Sequence, residues 1–343
     1  MSGADSGSST GLWLYDATRG RMAVLAWLGA ALGLSFLGVW ALGIAFVAGP
    51  EVPSLAETPA FGPRSWGEAI VRSLVLGYIV TLPAAGLHVA EQQLKLLRPH
   101  LDAGSSAAGA AASAVVRVPR WLRWLGGASG LAVLLLFGPD FVGSPGELLT
   151  VTQGWLAASG MLLGRAVAVH LFVARSFANL GRNFIPVDLL DRRPFAPLVA
   201  WGLRTFLAWV IWFGLTSLFF IDPGPRPPNW SNLLGLIPLA MIGVGALLVP
   251  VWGIHGRLRE AKTRELERLD AAVRAERDAL WQGVPSESPQ LANLSGYRML
   301  VADQSDWPLD VSAWLRFGFY LAIGAGSWIG AALVEQLLGR ALG

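Results

Sequence analysis

Residues 22–48 have the sequence MAVLAWLGAALGLSFLGVWALGIAFVA, which contains no charged side chain. A helix needs about 20 apolar residues to cross the hydrocarbon core of a bilayer. This stretch is long enough to do so, and it exceeds the roughly 7–15 apolar residues of a cleavable signal peptide. We predict that it is a retained first membrane-spanning helix.

Six further segments of the chain have the same character. They are residues 69–90, 121–138, 151–174, 198–221, 233–255 and 311–338. Of the 343 residues, 54% are hydrophobic and only 14% are charged, whereas about 25% are charged in an ordinary soluble domain. This composition excludes a disordered chain, a nucleic-acid-binding arm and an ordinary cytosolic enzyme. The predicted fold class is all-α, a polytopic integral membrane bundle with about seven transmembrane helices.

The distribution of basic residues predicts how these helices are oriented. With a cytosolic N-terminus, the inner segments 1–21, 91–123, 175–204 and 256–310 contain 2, 5, 5 and 8 lysines and arginines. The outer segments 49–68, 139–150, 222–232 and 339–343 contain 1, 0, 1 and 1. Cytosolic loops carry the excess of basic residues in membrane proteins. We therefore predict that 121–138, the weakest span because Arg123 lies near its start, crosses the membrane and that the C-terminus lies outside.

The chain divides into four predicted parts. They are a short cytosolic segment 1–21, a membrane bundle 22–255 with six spans, a cytosolic helical insertion 256–310, and a seventh span with the C-terminus at 311–343. Only Lys95 and Lys262 are lysines among the 26 basic residues, which is typical of a GC-rich bacterial genome. We predict a bacterial plasma (inner) membrane location. The Ala, Ser and Gly-rich loop 101–116 predicts a flexible linker.

The charged run at residues 256–281 contains seven basic and six acidic residues. It predicts a soluble cytosolic helix of about 39 Å that continues out of the sixth span. Asp270 and Arg274 have the i,i+4 spacing of a favourable pair.

Leu266, Leu269 and Val273 fall on a heptad seam of this charged helix. The seam predicts either packing on the inner surface of the same protein or association with a second copy or a partner protein.

Arg165 lies near the middle of the predicted fourth span, and His170 lies five residues further in. A charge at this depth costs roughly 2.5–3.5 kcal/mol on insertion scales and usually faces the bundle interior, where it pairs. One interpretation is an anion or proton pathway, or a counter-charge to a substrate. The alternatives are a structural pair with another helix, or snorkelling towards the inner surface.

His88 and Glu91 have the i,i+3 spacing that places two side chains on one helix face. Because histidine titrates near neutral pH, the pair predicts either a proton relay or an interfacial pair at a helix end. An intramembrane enzyme that acts on lipids would need His88, Glu91 and His170 to converge on one cavity.

Glycine and proline patterns predict close or irregular packing. The sixth span contains Gly235, Pro238, Gly243, Gly245 and Pro250, which favours either a broken helix, whose free carbonyls could bind ions, or a merely kinked one. Pairs of glycines four residues apart mark close helix approach. They are Gly29 and Gly33, Gly160 and Gly164, and Gly326 and Gly330.

Three acidic residues precede the seventh span. We expect Asp310 to cap this helix and Asp303 and Asp306 to be loop charges, with a divalent-cation site as the alternative. The chain has no cysteine, and it contains no phosphate-binding, dinucleotide, zinc-protease or serine-hydrolase motif. We predict no cofactor, no metal, no catalytic residue and no nucleic-acid partner.

The best hypothesis from the sequence is a channel or transporter for an ion or small solute. It depends on Arg165, His170 and the sixth span, and it makes the bilayer the main partner. A non-transporting signalling or scaffold protein that acts through 256–281 is the alternative, and an intramembrane enzyme is the third.

Overall fold

A computed structural model of the protein describes residues 12–18, 21–48, 66–101, 105–137, 151–218, 230–282, 290–323 and 326. These residues form helices and short turns, and no strand occurs among them. The helices are α1 Trp13–Ala17, α2 Met22–Ala48, α3 Trp66–Leu97, α4 Ser106–Ala114, α5 Arg120–Phe137, α6 Val151–Asn183, α7 Ala196–Ser217, α8 Trp230–Trp281, α9 Gln290–Asp303 and α10 Val311–Ile323.

Four helical segments in the described residues are long and apolar enough to cross a membrane. They are Ala69–His100, Trp155–Asn183, Arg193–Thr216 and Met241–Trp281, and they overlap α3, α6, α7 and α8. Shorter apolar stretches occupy Met22–Gly38 of α2 and Val311–Ile323 of α10. The all-helical fold and its suitability for a membrane are thus observed, whereas seven spans and their orientation remain predictions.

The centre of the bundle lies where α3, α6 and α7 meet. Leu87 of α3, Phe177 of α6 and Trp201 of α7 are fully buried there in one apolar cluster. The Trp201 indole N–H donates to the carbonyl oxygen of Gly86 at 3.3 Å, and the Tyr78 hydroxyl donates to that of Ala208 at 2.7 Å. Helix α8 packs on α6 and α7. These contacts bury the face of α6 on which His170 lies.

Helix α8 is one continuous helix of 52 residues from Trp230 to Trp281. It passes through Pro238 and Pro250 without an interruption of its helical backbone, so the hypothesis of a broken sixth helix is wrong. Membrane helices tolerate proline because neighbouring groups compensate for the lost hydrogen bond. At 1.5 Å per residue α8 is about 78 Å long, more than twice the bilayer core.

The part of α8 beyond the bundle packs against α9, and together they form the α8–α9 hairpin, residues 256–282 and 290–303. Arg298 of α9 donates to Asp270. Asp270 thus has a hydrogen-bonded partner on α9, and not only its predicted neighbour Arg274. The Lys262 ammonium donates to the Gln304 carbonyl oxygen at 2.7 Å, and the Arg257 guanidinium donates to that of Ile185 at 2.6 Å. The hairpin is therefore fastened to other loops of its own chain.

The loop predicted as a flexible linker contains a helix. Ser105 caps α4 by accepting a hydrogen bond from the Ala108 backbone N–H at 3.2 Å, and Ala108 and Ala112 are buried. Alanine has the highest helix propensity, and serine is a preferred cap. The small side chains also allow α4 to lie close against the bundle, which explains why the flexible-linker prediction is wrong.

Candidate functional site

Three arginines from two helices line one cavity at the end of the bundle where α5 begins. The cavity has a volume of about 340 Å³. We call it the arginine pocket, and its lining residues are Arg120, Arg123, Trp124 and Gly127 of α5 and Met161 and Arg165 of α6. None of these lining residues is a carboxylate, so the surface of the pocket is positively charged.

The pocket lies beside a seam in which α5 and α6 are in backbone contact. A Cβ atom on Gly126 would lie 2.7 Å from the Gly164 carbonyl oxygen, and one on Gly164 would collide with the backbone of Gly126 and Gly130. Gly130 faces the Gly160 carbonyl in the same way. The predicted pair Gly160 and Gly164 therefore lies in a close helix contact. Arg165 follows Gly164 directly, and this contact positions it next to the arginines of α5.

Arg165 is half-buried in this pocket, and its Nε atom is buried without a hydrogen-bond partner among the described residues. The sequence predicts a counter-charge for it. Among the described residues, the charged group that interacts with Arg165 is instead Arg123, and the two positive charges repel each other. A buried cation beside a second cation is unfavourable unless an anion lies between them.

Arg123 is buried, with 6% of its surface exposed. It is repelled by the charges of Arg165 and Arg120 and attracted by Asp16 of α1. The short N-terminal helix therefore brings a carboxylate into the electrostatic environment of the arginine pocket.

Helix α1 is fixed against the end of α3 by the residues that the sequence marked as a possible proton relay. The Tyr15 hydroxyl donates to Glu91 Oε2 at 2.8 Å, and Thr18 Oγ1 lies 3.0 Å from His88 Nε2. Tyr15 and Thr18 are fully buried. His88 and Glu91 thus share a face of α3, and each contacts α1. The arrangement gives both residues a role in holding the N-terminal segment.

His170 lies in a different environment from Arg165. It is 1% exposed, and its ring packs against Gly86 of α3, where a Cβ atom would collide with it. Its ring centroid lies 5.6 Å from that of Trp209. Because Gly86 and His88 are two residues apart, they point to nearly opposite sides of α3. His170 and His88 therefore lie on different sides of this helix, and they do not form the single cavity that the enzyme hypothesis needs.

A second close helix contact joins α2 to α3. Cβ atoms on Gly29 and Gly33 would lie 2.9 and 2.7 Å from the carbonyl oxygens of Gly77 and Ser73. A groove of about 570 Å³ runs beside this contact, and its lining is almost entirely apolar. No described atom lies within 4 Å of a Cβ on Gly326, and Gly330 lies outside the described residues.

The three predicted self-association residues lie in the α8–α9 hairpin. Leu269 is 6% exposed, and Leu266 and Val273 are half-buried. They share a helix face with Asp270, whose partner Arg298 is on α9. The seam therefore faces a helix of the same chain.

The acidic residues before α10 have separate roles. Asp310 Oδ1 accepts a hydrogen bond from the Ala313 backbone N–H at 2.7 Å, which confirms the predicted cap. Asp306 lies 3.3 Å from the Lys262 ammonium. Among the described residues, no group of three or more His, Asp or Glu side chains could hold a metal ion.

Sequence reasoning missed Arg120, Asp16, Tyr15 and Thr18 as members of the site, and it used Arg123 only to judge a span. The basic residues stand at a helix end, where a topology signal is the ordinary explanation. One pattern in the sequence could have indicated that α5 packs against α6. Gly126 and Gly130 are four residues apart, as Gly160 and Gly164 are.

No protein-family model, curated protein or solved structure matches this chain.

Proposed function

We propose that the protein is a membrane channel or transporter for an anion, with Arg165 on the path of the ion. The observation that supports this proposal is the arginine pocket, where Arg120, Arg123 and Arg165 line one cavity without a lining carboxylate. An arginine kept inside an apolar bundle at a cost of several kcal/mol is most simply explained by an anion that it binds.

The proposal includes a topology. Seven spans, a cytosolic N-terminus and an outer C-terminus in a bacterial plasma membrane agree with the excess of basic residues at the ends of α3, α6 and α8. In this orientation the arginine pocket opens near the cytosolic side, because Arg120 and Arg123 stand at the start of α5. A cytosolic anion would meet Arg120 first and the more deeply placed Arg165 afterwards.

The test is anion flux in proteoliposomes that contain the wild-type protein or Arg165→Gln. The matched control is Arg204→Gln, which removes an exposed arginine of α7 whose hydrogen bond to Gln92 is a weak one of 3.5 Å. We expect wild type and control to conduct and Arg165→Gln to lose at least nine-tenths of the flux while eluting as folded protein. Equal flux in all three proteins would overturn the role of Arg165.

The signalling or scaffold function remains a second candidate, and one observation favours it. Trp281, Met299 and Leu300 are 84%, 70% and 60% exposed on the α8–α9 hairpin. Exposed apolar side chains of this size outside a bilayer are typical of binding surfaces. A wild-type protein that supports no anion flux, but that loses a bound partner after Met299→Ser and Leu300→Ser, would favour this function.

A further inference from the structure

We infer that the arginine pocket binds a doubly charged phosphate group, either as inorganic phosphate or as the phosphate of an anionic lipid headgroup. The inference rests on the proposed function in that it takes the pocket as an anion site, and it names the chemistry of the anion.

The first argument is charge. Three guanidinium groups line the pocket, and one carboxylate, Asp16, acts on Arg123. Among the described residues the local balance is therefore two positive charges. A chloride ion or a simple carboxylate would neutralise one of them and leave the second unbalanced. A phosphate monoester or hydrogen phosphate carries about two negative charges near neutral pH and neutralises both.

The second argument is geometry. A guanidinium group is a planar fork of N–H donors that matches two oxygen atoms of one phosphate, which is why arginine is favoured where phosphate is bound. The Nε of Arg165 is buried and lacks a partner among the described residues, so it is a donor available to such an oxygen. A halide ion has no pair of oxygen atoms that could accept two parallel hydrogen bonds from one guanidinium group.

The third argument is size and access. The pocket volume of about 340 Å³ is about ten times the volume of one water molecule, roughly 30 Å³. It therefore accommodates a phosphate group with part of a larger molecule attached. Trp124 lines the pocket and is 71% exposed, and neighbouring Trp121 is 65% exposed. Tryptophan is enriched at the membrane–water interface, and basic pockets between helices at the cytosolic side bind phosphorylated headgroups.

The role of Asp16 follows from the same charges. Its carboxylate attracts Arg123 and so competes with a bound anion for the same guanidinium group. Removal of this carboxylate would leave three positive charges in the pocket. Asp16→Asn should therefore strengthen phosphate binding, while loss of an arginine should weaken it.

The experiment measures binding to the full-length protein in nanodiscs of phosphatidylcholine, with no flux readout. In the first arm, radiolabelled inorganic phosphate is titrated at constant ionic strength against chloride and acetate. In the second arm, native mass spectrometry counts the phosphatidic acid molecules retained from mixed nanodiscs. Arg120→Gln is the main variant because Arg120 is exposed and its loss does not open the core. Arg165→Gln is the second variant, and Arg204→Gln is the control.

We expect one of the two probes to bind wild type and Arg204→Gln alike. Arg120→Gln and Arg165→Gln should each weaken binding about tenfold or more, as expected for loss of one charge-assisted hydrogen bond, and Asp16→Asn should strengthen it. Binding of inorganic phosphate identifies a soluble source, and binding of phosphatidic acid alone identifies a lipid source. The inference is overturned if neither probe binds, if both arginine variants bind as wild type does, or if chloride or acetate competes equally.

The outcomes separate this inference from the proposed function. Phosphate binding without anion flux would overturn transport and leave the pocket as a phosphate site. Anion flux that needs Arg165, in a protein that binds neither phosphate probe, would overturn the inference and leave transport.

Discussion

The arginine pocket and the α8–α9 hairpin are both rich in basic residues, but their charges are balanced differently. In the hairpin Arg298 donates to Asp270, Arg268 lies 3.5 Å from Glu265, and Lys262 lies 3.3 Å from Asp306. In the pocket Arg165 has an arginine as its charged neighbour. The hairpin pairs lie at the surface, where such pairs contribute little. The pocket places unbalanced charge where it is unfavourable, which is the arrangement expected of a binding site.

The largest loss of stability is expected from a substitution in the α5–α6 glycine contact that positions the pocket. Gly164→Ala places a methyl group against the backbone of Gly126 and Gly130, which cannot move as a flexible side chain can. We expect a loss of about 3 kcal/mol or more and a low yield of folded protein. Gly245→Ala is the control, because no described atom lies within 4 Å of its Cβ position. Thermal stability in detergent checks both, and a normal melting temperature for Gly164→Ala would contradict the seam.

The next largest loss of stability is expected locally, where apolar residues of α8 face α9 in the hairpin. Replacement of Leu266, Leu269 and Val273 by serine should detach α9 from α8, because Leu269 is buried on the face that carries Asp270. Loss of these apolar contacts costs several kcal/mol locally. Hydrogen exchange in α9 should rise strongly, while the mass in detergent stays unchanged. The control is Leu280→Ser, which alters a more exposed leucine. A fall in mass would instead show that the seam holds two copies together.

A substitution in the pocket is expected to change stability by less and in the opposite direction, as a gain. Arg165→Met keeps much of the side-chain volume and removes a half-buried charge whose buried Nε has no hydrogen-bond partner among the described residues. We expect stability in phosphate-free buffer to rise by ~1–3 kcal/mol, since burial of unpaired charge is unfavourable. Arg298→Met, which removes a paired arginine of the hairpin, should give no such gain. A destabilised Arg165→Met would show that Arg165 is a structural residue after all.

Much of the bundle could be predicted because long apolar segments have few alternatives to a helix in a membrane. Predicted spans 69–90 and 151–174 lie within α3 and α6, and the part of 198–221 that the structure describes lies almost wholly in α7. Residues 219–221 lie outside the described residues. Helices α1 and α4 were missed because they are short and lack an apolar period. They are held by tertiary contacts such as the Tyr15–Glu91 hydrogen bond.

The site was only half predictable, for a physical reason. The cost of a charge in the middle of a span singles out Arg165 from sequence alone. Its neighbours Arg120 and Arg123 are more than 40 positions away along the chain, and only the register of the α5–α6 glycine contact brings them together. The enzyme hypothesis needs His170 and His88 to converge, and only the helix geometry shows that they lie on different sides of α3.

The smallest effect is a pH dependence of the hairpin pair. The hydrogen bond from Arg298 holds the pKa of Asp270 below its ordinary value. A carboxyl group with a lowered pKa in the folded state stabilises that state above its unfolded pKa, and the contribution is lost as the pH falls through the folded value. Docking of α9 should therefore weaken slightly below about pH 4.

Because the chain has no cysteine, labels at A271C and A292C can report the distance between α8 and α9 without interference. The distance should lengthen slightly on acidification in otherwise wild-type protein and should not respond to pH in Arg298→Gln. Both side chains are accessible to solvent, so 1 M salt should suppress the effect. An acid response that persists in Arg298→Gln would assign it to another carboxylate. The paired arginines of the hairpin would then be no more than surface charge, which would deepen the contrast with the pocket.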